Sequence, residues 1–135
     1  MSFDVFLNFD GDCREALGFY AGVFGAEPSH VTPYDSAPGT SVPQADAGRV
    51  MYASLPVFGH NVMFSDCPSG SVHVKGTNIC LTLGCADKEE IDRLFAALSE
   101  GGQVVTPLGR TFFSERYGMV TDRFSVTWQL SLTEF

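Results

Sequence analysis

The stretch NFDGDCREALGFYAGVFG, residues 8 to 25, leaves a strand-like run through an Asp-Gly turn, opens a helix and stops at a glycine. Residues 83 to 102, LGCADKEEIDRLFAALSEGG, repeat that order: an apolar strand, an Asp, a helix and a terminal glycine. The span from Asp to Gly is 13 residues in the first copy (Asp12 to Gly25) and 14 in the second (Asp87 to Gly101). Spacing kept this closely argues for an internal duplication. With only 135 residues the chain is too short for two independent domains, so the halves must share a sheet or pair with another chain.

Periodicity fills in the rest of each half. FDVFLNF (3 to 9) places Phe3, Val5, Leu7 and Phe9 on one strand face and Asp4, Phe6 and Asn8 on the other, with the first face expected to be buried. In the helix that follows, Asp12 is the expected N-cap, Ala16, Phe19, Tyr20 and Val23 form the apolar stripe, Leu17 and Phe24 widen it, and Gly25 supplies a left-handed stop. Residues 28 to 48 hold four prolines and read as a long loop with at most a short strand around Val31. RVMYASLPV and HNVMFSD then form a hairpin about a Phe58-Gly59 turn.

The second half opens with Ile79, Leu81 and Leu83 alternating against Asn78, Cys80 and Thr82. Asp87 and Glu90 make a D-x-x-E cap ahead of a helix striped by Ile91, Leu94, Phe95 and Leu98, which ends at Gly101-Gly102. QVVTPL starts a strand, RTFFSERYGMVTD is expected to be a hairpin bending near Glu115, and SVTWQLSL is the last strand, with Thr133 continuing its polar face. Both halves read strand, helix, strand, strand, strand. The expected organisation is one domain over 1–135, with module 1 at about 1–66, a linker at 67–76 and module 2 at about 77–135. Strands that alternate apolar and polar residues have one face on the core and the other towards something wetter, and two such sheets facing each other would enclose a cleft.

Composition narrows the partners. A net charge of −8, from 8 basic and 16 acidic residues, disfavours nucleic acid and anionic membrane, both of which need clustered Lys and Arg. Cys13, Cys67, Cys80 and Cys85 form no CxxC pair. With no basic-then-apolar segment in MSFDVFLNFD, the expected setting is cytoplasmic with reduced thiols. Nucleophile-elbow, P-loop and dinucleotide glycine fingerprints are absent, and Glu89-Glu90 reads as helix capping rather than an acid/base dyad. His30, His60 and His73 lack H-x-x-x-H spacing and fall at a loop edge, a hairpin turn and the linker, so they read as surface residues.

FLNFDGDCREALGFYAGVFG and LFAALSEGGQVVTPLGRTFFSERYGMVTDRFSVTW, taken as an ordered set, resemble the vicinal oxygen chelate superfamily of glyoxalase I, extradiol dioxygenases and bleomycin-resistance proteins. Within it the likeness is to the PhnB-like branch, often labelled 3-demethylubiquinone-9 3-methyltransferase. The resemblance implies an α+β fold of two βαβββ modules of mixed sheet forming a cleft, commonly in a homodimer. Two positions depart from the family pattern: Phe113 stands where Trp is frequent, and Ser125 replaces the usual glycine between Phe124 and Val126.

Metal-dependent members hold a divalent ion with His, Glu or Gln on cleft-facing strands. The resemblance puts Gln129 at a position often occupied by Glu, with Phe6 or Asn8, Met63 or Ser65, and Cys80 or Thr82 at the others. None is His, Asp or Glu, so no cofactor is expected and a divalent metal in the usual site is disfavoured. The implied cleft is lined by Phe6, Asn8, Met63, Cys80, Thr82, Phe112 or Phe113, Tyr117 and Gln129. That mixture suits a planar or apolar small molecule held without strong charge pairing, although the same side chains could instead fill a closed core. The leading expectation is a metal-free small-molecule-binding protein. The alternative is a metal-dependent lyase, isomerase or dioxygenase with ligands recruited from loops or a partner chain. A methyltransferase is disfavoured, because the chain has neither a glycine-rich S-adenosylmethionine motif nor Rossmann-like alternation. Exposed sheet edges and the resemblance together lead to an expected two-fold homodimer.

Overall fold

The computed structural model describes residues 1 to 36 and 41 to 132. Positions 37 to 40 of the proline-rich loop, and Thr133, lie outside the described residues. The chain divides into two compact units, Met1–Val74 and Lys75–Phe135. Unit 1 runs β1 (Val5–Phe9), α1 (Cys13–Phe24), β2 (Ser29–Pro33), β3 (Val50–Val57) and β4 (His60–Asp66). Unit 2 runs β5 (Leu81–Cys85), α2 (Lys88–Ser99), β6 (Gln103–Gly109), β7 (Tyr117–Thr121) and β8 (Thr127–Leu132). Sheet order is β1-β4-β3-β2 in one and β5-β8-β7-β6 in the other. In each, the first strand lies parallel to the last, and the remaining pairs are antiparallel. Both helices are 12 residues long. The architecture is α+β, two βαβββ modules, and the duplication is present down to the strand pairing.

Each helix covers one sheet face. α1 buries Cys13, Ala16, Leu17, Tyr20 and Val23, and Tyr20 lies 5.9 Å from Phe64 between ring centres, with Phe9 stacked on Phe64 at 6.0 Å. α2 buries the expected stripe of Ile91, Leu94, Phe95 and Leu98. Phe95 comes so close to β7 that a Cβ on Gly118 would sit 2.7 Å from the ring, so only glycine fits there without movement. The Phe58-Gly59 hairpin forms as expected, with both residues at positive φ (49° and 81°), the geometry that suits a two-residue turn to the strand twist. Ser125 has φ 67° in the turn between β7 and β8, so a non-glycine residue occupies a left-handed position where the resembled family carries glycine.

Four local expectations are corrected. The first strand begins at Val5, opposite Val62 of β4, and leaves Phe3 exposed. The second half's first strand likewise begins at Leu81, with Ile79 exposed. Residues 110 to 116 form no strand: β7 pairs with β6, so the hairpin is β6–β7 and the segment is its connecting loop. The short strand expected around Val31 is present as β2, paired with β3, and a short 3-10 turn follows at Tyr34–Ser36.

The fourth correction concerns capping. Asp87 caps α2 as read, accepting the Glu90 N–H at 2.8 Å. Asp12 makes no capping hydrogen bond to α1. That role falls to Asp66, buried at the end of β4. Its Oδ1 accepts the N–H groups of Gly11 (2.7 Å) and Cys13 (3.1 Å), and its Oδ2 accepts that of Val50 (2.9 Å). One carboxylate thereby joins the helix N-terminus to two strands and satisfies three backbone donors. Unit 2 has a comparable device in a different place. Buried Asp122 accepts from the N–H groups of Phe124 (2.8 Å) and Val126 (3.1 Å) and from Trp128 Nε1 (2.9 Å), tying the β7–β8 turn to the core.

Removing the Asp66 acceptor leaves buried N–H groups without partners, so Asp66→Ala is expected to lose about 3 kcal/mol in urea unfolding, whereas Asp12→Ala should change stability by less than about 0.5 kcal/mol. Equal losses for the two variants would show that Asp66 is not the cap.

Candidate functional site

A strand alternates its side chains, so whatever does not face the helix faces away from it. In unit 1 the face away from α1 carries Phe6 and Asn8 from β1 and Met63 and Ser65 from β4, with Phe6 opposite Met63 and Asn8 opposite Ser65. Phe6 is 43% exposed, Asn8 is exposed and Met63 is half-buried. Tyr52 of β3 joins them, its ring 6.4 Å from that of Phe6. Ser54, in register with Met63, exchanges a 2.9 Å hydroxyl contact with Ser29 of β2.

In unit 2 the corresponding face carries Thr82 opposite Gln129, and Met119 on the other side of Gln129. Thr82 is exposed and Gln129 half-buried. The Tyr117 hydroxyl donates to Gln129 Oε1, and the Thr121 and Thr127 hydroxyls meet at 2.9 Å. From Tyr117 an aromatic series runs into the β6–β7 loop. Phe113 packs edge-on against Tyr117 at 5.1 Å and Phe112 against Phe113 at 5.2 Å. Phe113 is 54% exposed and Phe112 fully exposed. Cys80 stands one residue before β5, half-buried.

The eight candidate residues therefore form two groups. Phe6, Asn8 and Met63 share one sheet face in unit 1. Thr82, Gln129, Tyr117 and Phe113 are linked by register, hydrogen bond and ring contact in unit 2, with Cys80 at the strand end. Sequence reading missed Tyr52, Ser54 and Met119. β3 hides its pattern by burying Ala53, Ser54 and Leu55 in succession, and Met119 was obscured by the misplaced hairpin. It also missed the setting of His73, which is half-buried, with Nε2 3.0 Å from the Asn8 carbonyl on the free edge of β1. His30 and His60 are exposed, as expected.

Three of the thiols, Cys13, Cys67 and Cys85, are poorly suited to chemistry. Burial first, then the nearby Asp66 and Asp12 carboxylates, push the Cys13 thiol up to about 12, and burial with Glu90 and Asp87 pushes Cys85 up to about 11. Cys67 is also raised, by burial and by its contact with Asp10. A thiolate is the nucleophile and the metal ligand, so these three are protonated and inert at neutral pH. Around Cys67, Arg49 holds Asp10 (2.8 Å) and the Cys67 carbonyl (2.8 Å), and the Arg49 hydrogen bond keeps the Asp10 carboxyl below its usual range. That cluster is structural: it pins the segment after β4 to the start of α1.

The donor set does not fit the divalent ion that metal-dependent relatives use. Gln129 offers an amide oxygen already engaged by Tyr117, and its strand neighbours offer a hydroxyl and a thioether. Among the described residues no three His, Cys, Asp or Glu side chains are gathered as a metal would require.

Residues 2 to 131 match the family described as 3-demethylubiquinone-9 3-methyltransferase. The crystal structure of protein PA1353 from Pseudomonas aeruginosa is 32% identical and superposes with a TM-score of 0.89 over 100% of this chain and 99% of that one. The PhnB protein from Bacillus cereus is 29% identical with a TM-score of 0.83, over 98% and 100% of the two chains. Protein YjdN of Escherichia coli is 27% identical over 99% of this chain and 97% of its own length. The fold alone extends to the fosfomycin resistance protein FosX from Listeria monocytogenes, at 13% identity, a TM-score of 0.69 and coverage of 100% and 94%. With the duplicated modules and the family match across nearly its whole length, the chain belongs to the 3-demethylubiquinone-9 3-methyltransferase family, the PhnB-like branch of the vicinal oxygen chelate superfamily.

Proposed function

We propose that this chain is a small-molecule-binding protein of the PhnB-like and bleomycin-resistance type, holding an apolar or aromatic ligand against its uncovered sheet faces without a metal. The observation that carries the reading is the makeup of those faces. Phe6, Tyr52 and Met63 beside Asn8, and Tyr117 and Met119 beside Thr82 and Gln129, give apolar area with a few neutral hydrogen-bonding groups. Such surfaces hold a small molecule by shape and by a few polar contacts. Their lack of carboxylate and imidazole supports binding over metal-assisted catalysis.

The alternative of a metal-dependent lyase, isomerase or dioxygenase has one observation on its side, the half-buried His73 against the backbone of Asn8. A single imidazole is short of the two or three ligands such centres use. The methyltransferase activity in the family's description gains no support from a chain without a glycine-rich nucleotide turn. Among the described residues no helix is long and apolar enough to cross a membrane. We place the protein in the cytoplasm on the strength of four unpaired cysteines.

We also propose a two-fold homodimer, since each sheet ends in unpaired edge strands and exposed apolar residues such as Val104 and Val105 lie on β6. Light scattering should then report twice the chain mass, and a constant 14.6 kDa at rising concentration would overturn the dimer. For the metal-free reading, protein purified without chelator and titrated with Zn²⁺, Ni²⁺, Mn²⁺ and Fe²⁺ should retain less than stoichiometric metal. Stoichiometric binding lost in Gln129→Ala or His73→Ala would sink it.

A further inference from the structure

Arg110, Thr111, Phe112, Phe113, Ser114 and Glu115 of the loop between β6 and β7 line a largely open depression of about 240 Å³. The loop has a fixed frame. Thr111 N–H donates to the Ser114 carbonyl (2.9 Å), and Thr111 Oγ1 accepts from the N–H groups of Ser114 (3.0 Å) and Phe113 (3.3 Å). Ser114 is buried, its hydroxyl 2.9 and 3.0 Å from the carbonyls of Arg116 and Leu132 and 3.0 Å from the Ser131 hydroxyl, so the turn is anchored to β8. On this frame stand two phenyl rings turned outwards, and Phe112 is wholly exposed. Large exposed aromatics on an ordered loop mark a contact surface more often than chance.

The charges on the same depression are unpaired. Arg14, Arg49, Arg116 and Arg123 each hold an oxygen partner, whereas Arg110 makes no hydrogen bond or ion pair among the described residues. Glu115, across the two rings in sequence, is unpaired among them as well. An anion alone would gain from Arg110 and be opposed by Glu115 and the −8 net charge, and a cation alone would meet Arg110. A ligand carrying both charges satisfies both groups. The depression is smaller than the roughly 300–1,000 Å³ of drug-sized sites, so its walls offer contact to about one ring.

We propose that this loop depression binds a one-ring aromatic zwitterion, its ring against Phe112 and Phe113, its carboxylate at Arg110 and its ammonium at Glu115. The proposal rests on the small-molecule reading above and names the ligand class for the Phe113 end of it. A ligand of this size is expected to bind with a dissociation constant on the order of 1 mM.

The test is an amide NMR titration of the intact chain with three probes: L-phenylalanine, 3-phenylpropionate and phenethylamine. Phenylalanine should move the amides of residues 111 to 115 and bind more tightly than either singly charged probe. Arg110→Gln should weaken phenylalanine and phenylpropionate by about threefold while sparing phenethylamine, as expected for an exposed charge pair. Phe112→Ala should weaken all three without lowering the melting temperature. Equal affinities for the three probes would overturn the charge assignment. Shifts confined to Asn8, Thr82 and Gln129 with a silent loop would overturn the loop site and leave the wider binding reading standing. Silence everywhere at ~10 mM, some ten times the expected constant, would overturn the loop site, while the wider binding reading is judged by its own test.

Discussion

A single 12-residue helix can cover one face of a four-stranded sheet and no more, and the rest of each module follows from that limit. The covered face is mostly apolar, with Phe9, Phe64, Leu55 and Ala53 in unit 1 and Leu83, Leu130, Val120 and the gap at Gly118 in unit 2, and the polar groups on it, the Asp66 carboxylate and Trp128 Nε1, are held by hydrogen bonds. The opposite face must then be stable without a helix over it, which selects side chains that are apolar in body and polar at one end. Tyr52, Tyr117 and Gln129 are of that kind. A surface built under this constraint is already halfway to a binding surface, and the two copies reached it with different residues at matching strand positions.

Holding a helix on one face also leaves its N-terminus to be satisfied near the sheet edge. The two modules solve this differently. α2 uses its own Asp87, a local cap three residues from its donor, while α1 borrows Asp66 from the end of β4. A borrowed cap ties helix position to strand register, so unit 1 cannot shift β4 along β1 without uncapping the helix. Unit 2 puts its buried carboxylate, Asp122, in the β7–β8 turn instead, where it fixes Trp128 and the turn holding Ser125 at positive φ. Local strain at Ser125 is offset by three hydrogen bonds to one side chain, a common arrangement for a residue kept in a costly conformation.

These contrasts explain what could be read from sequence. The helices and their stripes were legible because a period of 3.6 involves only neighbours, and Ile91, Leu94, Phe95 and Leu98 needed no other part of the chain to declare themselves. The α1 cap was not, because Asp12 and Asp66 are both chemically able to cap, and choosing between them requires a contact across more than fifty residues. Asn8, Thr82 and Gln129 could each be assigned to the polar face of its own strand by alternation alone. Tyr52 and Ser54 could not, since β3 buries side chains on both faces near its centre. The loop at 110–116 was misread as strand because aromatic residues are strand-formers by propensity, and the hydrogen bonding of Thr111 and Ser114 that makes it a turn is invisible to a propensity argument.

The central claim is that the sheet face away from each helix is a working surface and not a second core. Urea unfolding of Asn8→Ala, Thr82→Ala and Phe6→Ser, each measured against Leu130→Ala, tests it most directly. The account predicts losses of about 1 kcal/mol or less for the three face variants and about 2–5 kcal/mol for Leu130→Ala, whose side chain is fully buried. Losses for Asn8, Thr82 and Phe6 as large as that for Leu130 would show these side chains to be packed interior, and would contradict it.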